Sequence, residues 1–141
     1  MKTALGLFLG IILGFTLDSF AKFLGQTVQP LPPDLMDQGL EHVRNWYEAA
    51  APTQLFYLPM SWFIGGLTGS FISERLSDWA AYIAGMLTVA AMYTIGLLFL
   101  AIGPQPTWAW WLLGISQLVG GIAGSWLGIG MKNKDTARRT V

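Results

Sequence analysis

The chain has 141 residues, of which 53% are hydrophobic and only 11% charged, and its formal net charge is zero. A soluble domain usually carries about a quarter charged residues, so an ordinary soluble globular fold is excluded and a single membrane domain is expected. Zero net charge gives no footing for nucleic-acid binding. With no cysteine in the sequence, disulfides, thiolate metal sites and thiol catalysis are excluded.

No charged side chain occurs at 49–73 or at 79–131, and a spanning helix needs about 20 mostly apolar residues. The first expected span covers 3–23 and contains "GLFLGIILG", with Gly6, Gly10 and Gly14 at every fourth position. Asp18 is the one acid inside an expected span, with Lys22 following at i+4. Asp18 lies about 22 Å along the helix from Thr3, near the far boundary of a roughly 30 Å core. That depth favours a pair with Lys22 that reaches the interface; the competing reading is a transport site for a proton or cation. A signal peptide is the other reading of this segment, with "MK" as its basic start and "SFA" (Ser19 to Ala21) as its cleavage site. The long apolar stretch and the repeated glycines favour a retained span.

The segment 24–51 is the only sizeable part expected outside the membrane. Pro30, Pro32 and Pro33 stiffen its start, and Asp34 is placed to cap a helix. Met36, Leu40, Val43 and Tyr47 follow at helical spacing, with Asp37, Glu41, Arg44 and Glu48 elsewhere on the wheel. The expectation is an amphipathic helix over 34–50 of about four turns, either a lid over helix ends or a docking surface for a partner through Met36, Leu40, Val43 and Tyr47. His42 is the only histidine, so one chain cannot supply paired haem ligands, no metal-ligand cluster is visible and no cofactor is expected.

The second span is expected at 52–73, with Pro59 as a kink site and Ser61, Gly65, Gly69 and Ser73 at spacing four. "SERLSD" (73–78) is a tight charged turn in which Ser77 or Asp78 caps the next helix. The third span covers 78–102. "GPQPT" (103–107) ends it, since two close prolines cannot continue a helix. The fourth span, 108–131, carries Ser116, Gly120, Gly124 and Gly128, and a basic tail occupies 132–141. The fold class is therefore an all-α membrane protein with four transmembrane helices and an outward amphipathic helix between spans 1 and 2.

Glycine costs a helix roughly 1 kcal/mol relative to alanine in water. Three stripes at one spacing make sense where helix backbones meet, because close packing drives association in lipid. The partner helices belong to this chain or to another copy, and three stripes on four helices suggest a homo-oligomer or a subunit of a larger complex. "SWFIGGLTGSFI" (61–72) also aligns with "SQLVGGIAGSWL" (116–127), a weak repeat that duplication or convergent packing explains equally well.

Four spans put both termini on one side, with Lys2, Arg75, Lys132, Lys134, Arg138 and Arg139 against Lys22 and Arg44 opposite. Six basic residues against two place that side in the cytoplasm. Trp46, Tyr47, Phe56, Tyr57, Trp108, Trp110 and Trp111 are expected near the outer interface, and Trp79, Tyr82 and Trp126 near the inner one. No nucleotide loop, nucleophile constellation or carboxylate pair at a credible spacing is present, so no enzymatic activity is expected.

The features "GLFLGIILG", "QPLPPDL", "SWFIGGLTG" and "GPQPTWAWWLLG", in that order, resemble those of a widespread bacterial family of small four-helix integral membrane proteins. That resemblance implies a multi-pass protein of the bacterial cytoplasmic (inner) membrane; the family has no established activity, so it supplies no functional residues. The reading from the residues is a non-enzymatic scaffold or accessory subunit that docks through its glycine stripes. The alternative is a small oligomeric transporter or channel using Asp18, or hydroxyls such as Ser61, Thr68, Ser70 and Ser116.

Overall fold

A computed structural model describes residues 2–28, 30, 32–50, 55–102 and 106–139. Among them are five α-helices and one 3-10 turn: α1 (Lys2–Val28), the turn Met36–Gln38, α2 (Leu40–Ala49), α3 (Tyr57–Leu76), α4 (Ile83–Ile102) and α5 (Ala109–Arg139). Three helices are long and apolar enough to cross a membrane: Lys2–Val28, Ile83–Ile102 and the Ala109–Asp135 part of α5. The protein is thus a small all-helical chain whose apolar helices imply contact with a lipid bilayer.

α3 is the central element. Its Gly65, Gly69 and Ser73 face the Gly6–Gly10–Gly14 stripe of α1. A methyl group on Gly14 would stand 2.9 Å from the Gly65 carbonyl oxygen, and one on Gly69 would stand 2.9 Å from the Gly10 carbonyl oxygen. On the other side of α3, Gly120, Gly124 and Gly128 of α5 lie against the carbonyl oxygens of Phe63, Leu67 and Phe71. Carbonyls one turn apart meet glycines one turn apart, so the backbones approach as glycine alone allows. Ser61 is buried and bonds the Leu58 carbonyl oxygen at 2.8 Å, while Ser116 is half-buried. The glycines of all three stripes therefore meet helices of the same chain.

These pairings fix direction. Gly6 meets Ser73 and Leu76 whereas Gly25 meets Tyr57, so α1 and α3 are antiparallel; α3 and α5 are parallel. α4 runs against both: Thr88 bonds Ser73 at 2.6 Å, Val89 meets Gly121 and Leu113 meets Gly96. α1 and α5 flank α3 without packing on each other. The bundle has a tail end, holding the start of α1 and the end of α5, and a cap end, holding α2.

Several boundaries differ from expectation. α1 continues to Val28, because no residue before the proline segment breaks it. The single helix over 34–50 is instead a 3-10 turn and a ten-residue helix, broken at Gly39 with φ 91°, a backbone state that glycine tolerates. Leu35 rather than Asp34 precedes the turn, and no side chain caps either element. At the "SERLSD" turn Glu74 and Arg75 belong to α3, and α4 starts at Ile83, so neither Ser77 nor Asp78 caps it. Ser77 Oγ instead accepts from Trp79 N at 3.0 Å. The tail is helical to Arg139, where Arg75 pairs with Asp135 at 2.9 Å and Lys132 donates to the Ser77 carbonyl oxygen. Positions 51–54 and 103–105 lie outside the described residues.

Candidate functional site

Asp18 lies one turn beyond Gly14 on the same face of α1, and that face is turned toward α3. Its side chain is 4% exposed. Oδ2 accepts from Lys22 Nζ at 2.7 Å, while buried Oδ1 has no hydrogen-bond partner. The expected pair forms, with the acid turned into the bundle and Lys22 partly exposed, at 34%. The Lys22 ammonium also sits 5.8 Å from the ring centroid of buried Trp62, within reach of cation–π attraction.

A cavity of about 360 Å³ opens beside this pair. Its α1 wall is Phe15, Asp18, Ser19, Lys22 and Gln26; its α4 wall is Gly96, Phe99 and Leu100. Trp62 and Leu58 of α3 and Leu113 and Gln117 of α5 complete it, and Tyr47 of α2 reaches it from the cap end. α1 and α5, which wall it on two sides, do not pack on each other. Toward the tail end and outside this lining, Met92 is fully buried against Gly14, Gly65 and Gly69.

Gln117 is 2% exposed, and its Oε1 is buried without a partner. Buried polar atoms are nearly always hydrogen-bonded, and leaving one unmade costs about 1–3 kcal/mol. Asp18 and Gln117 both line this cavity, and each has one buried oxygen without a partner. Sequence reasoning passed over Gln117, although Gln117, Gly121 and Ser125 form a four-residue ladder beside the glycine stripe. Gly121 and Ser125 lie against Val89 and Gly85 of α4, so this ladder also faces inward.

α2 covers the cap end. Val43 and Tyr47 are buried in the apolar cluster formed with Leu55, Leu58, Trp62 and Leu113, so of the four docking candidates these two face the bundle. Leu40 is exposed, and the side chain of Met36 lies outside the described residues. Burial, and then the neighbouring Tyr57 phenol, push the Tyr47 hydroxyl above its ordinary range. The two phenols are neighbours without a hydrogen bond to Tyr57 Oη, which is itself buried and unpartnered. Glu48 ties α2 to the start of α5 by accepting from Thr107 N at 2.7 Å. His42 is exposed on α2.

Of the other polar candidates, Ser70 bonds the Gly66 carbonyl oxygen at 2.7 Å, and Thr68 and Ser116 are half-buried outside the cavity lining. The hydroxyls do not extend the Asp18 cavity. Among the described residues no group of three or more His, Cys, Asp or Glu side chains could hold a metal ion. No protein-family model, curated protein or solved structure matches the chain. No family is identified, and the resemblance drawn from the motifs extends only to a small all-helical protein with membrane-spanning helices.

Proposed function

We propose that the chain is a four-span protein of the cytoplasmic membrane, with both ends on the cytoplasmic side, that binds a small polar ligand in the Asp18 cavity. It belongs on this reading with solute-binding and transport proteins, and it is not an enzyme. The observation that carries it is the inward-facing Asp18, which has one buried carboxylate oxygen unpartnered and lines a cavity together with Gln117, whose buried Oε1 is unpartnered as well. Ionisable groups inside membrane bundles are costly and tend to mark ligand or ion paths. A concave, mostly apolar space of a few hundred Å³ with a few convergent polar groups is the usual form of a small-molecule site.

The reading as a scaffold or accessory subunit began from stripes in need of a partner. Those stripes are filled by α1, α3 and α5 of the same chain, so docking through them loses its surface. Passage of a ligand across the bundle would require Met92 to leave its contact with Gly14, Gly65 and Gly69.

The test is gentle purification of the full chain, release of bound small molecules by denaturation, and mass spectrometry of the extract. We expect a species in the wild-type extract that Asp18→Asn loses, and a solute flux in proteoliposomes that Asp18→Asn alters. Identical extracts from both proteins, with no flux across a broad solute panel, would refute the reading.

A further inference from the structure

We infer that the ligand class of this cavity is a zwitterion carrying a primary ammonium and an anionic group, a chemistry shared by aminophospholipid headgroups and free amino-phosphate or amino-acid solutes. The inference rests on the proposed binding role of the cavity and names what it takes.

Three observations lead to it. First, the unpartnered atoms are both acceptors, Asp18 Oδ1 and Gln117 Oε1, so the missing partner is a donor, and a primary ammonium offers three N–H groups. A quaternary ammonium offers none and would leave both oxygens unmade. Second, Asp18 and Lys22 already form an ion pair of zero net charge. A ligand of net charge would put an unbalanced charge into a low-dielectric space, which disfavours an uncompensated ion. A zwitterion adds none, and it places its own charges against the pair in alternation. Lys22 spends one N–H on Asp18 and is partly exposed, so it can meet the anionic group.

The third observation concerns access. Tyr47 and the buried cluster of α2 close the cap end, and buried Met92 lies below. The α1 and α4 walls carry exposed residues, Ser19 and Gln26 on one and Phe99, at 69% exposure, on the other. The open side therefore lies between α1 and α4 and faces the bilayer. A headgroup enters there with its acyl chains still in lipid and its ammonium directed at Asp18 and Gln117.

The test uses the full chain in detergent and reads thermal shift and native mass spectrometry with five probes. They are phosphatidylethanolamine, phosphatidylcholine, phosphatidylglycerol, water-soluble glycerophosphoethanolamine and tetraethylammonium. We expect phosphatidylethanolamine to be retained and to raise the melting temperature, with phosphatidylcholine and phosphatidylglycerol at least tenfold weaker. Gln117→Leu, which leaves the Asp18–Lys22 pair intact, should weaken retention about tenfold, and Asp18→Asn more. Stabilisation by glycerophosphoethanolamine as well would support the class and identify a free solute as the source; stabilisation by the lipid alone would support it and identify the headgroup. Equal retention of phosphatidylethanolamine and phosphatidylcholine, unaffected by Gln117→Leu, would overturn the inference by marking both as surface lipid. Asp18-dependent stabilisation by tetraethylammonium without phosphatidylethanolamine would overturn the ligand class and leave the binding role standing. No Asp18-dependent response to any probe, together with an empty small-molecule extract, would remove both.

Discussion

Gly14 and Gly130 are the same residue under opposite demands. A side chain on Gly14 would meet Met92 Sδ at 2.7 Å and the Gly65 carbonyl oxygen at 2.9 Å, whereas nothing lies within 4 Å of a methyl on Gly130. The Met92 side chain can shift, but a carbonyl within a packed helix cannot. We expect Gly14→Leu to destabilise by more than the 1–3 kcal/mol typical of overpacking. Gly130→Ala should be neutral or stabilising by up to about 1 kcal/mol, as helix propensity dictates. Thermal melts of the three proteins in one detergent check both. The spacing of the stripes was legible because glycine in a helix carries a cost that only close approach explains. The inward face of Asp18 was legible too, since 6, 10, 14 and 18 form one ladder. The orphaned oxygen of Gln117 could not be read, since it depends on which side chains the other helices bring beside it.

At the scale of elements, α3 decides the fold, and its sequence looks the least like a spanning helix. It carries Ser61, Ser70, Ser73, Glu74 and three glycines, and most of these are buried between α1, α4 and α5. A helix surrounded by protein needs small and hydrogen-bonding residues more than lipid-facing bulk. Hydropathy therefore identifies α1, α4 and α5 and understates α3. Glu74 shows how the centre is tied together. It is 2% exposed, and Oε1 accepts from Gly85 N at 2.9 Å in the first turn of α4, where backbone N–H groups lack helical partners and favour negative charge. The sequence reading placed Glu74 in a tight charged turn; the ladder Gly66, Ser70, Glu74 facing α5 was the available signal. Glu74→Ala should cost about 1–3 kcal/mol, as an unmade buried hydrogen bond does. Glu74→Gln retains a carbonyl acceptor and should cost less, a ranking that detergent melts can test. At the cap end Glu48 holds Thr107, and Glu48→Ala should loosen α2 and raise hydrogen exchange across Leu40–Ala49 while the exchange of α3 stays unchanged.

For the whole molecule, the directions of the helices bear on the number of crossings. α1 and α4 lie side by side and run the same way, because each is antiparallel to α3. The chain leaves α1 at the cap end and starts α4 at the tail end, so it must return across the thickness of the bundle between them. α3 has 20 residues, about 30 Å at 1.5 Å per residue, which matches a hydrocarbon core of roughly 30 Å. On the proposed four-span reading α3 is the crossing that lets α1 and α4 run the same way. The sequence holds no cysteine, so single cysteines report position without background. On the proposed orientation, Asp78→Cys and Lys134→Cys should be labelled by a membrane-impermeant maleimide only after the cytoplasmic face is opened, and Leu40→Cys in intact cells; all three positions are exposed in the fold. Labelling of positions 40 and 78 from the same side would mean that α3 does not cross. The bundle would then have to come apart in the membrane, and the Asp18 cavity, which needs α3 and α5 beside α1, would go with it.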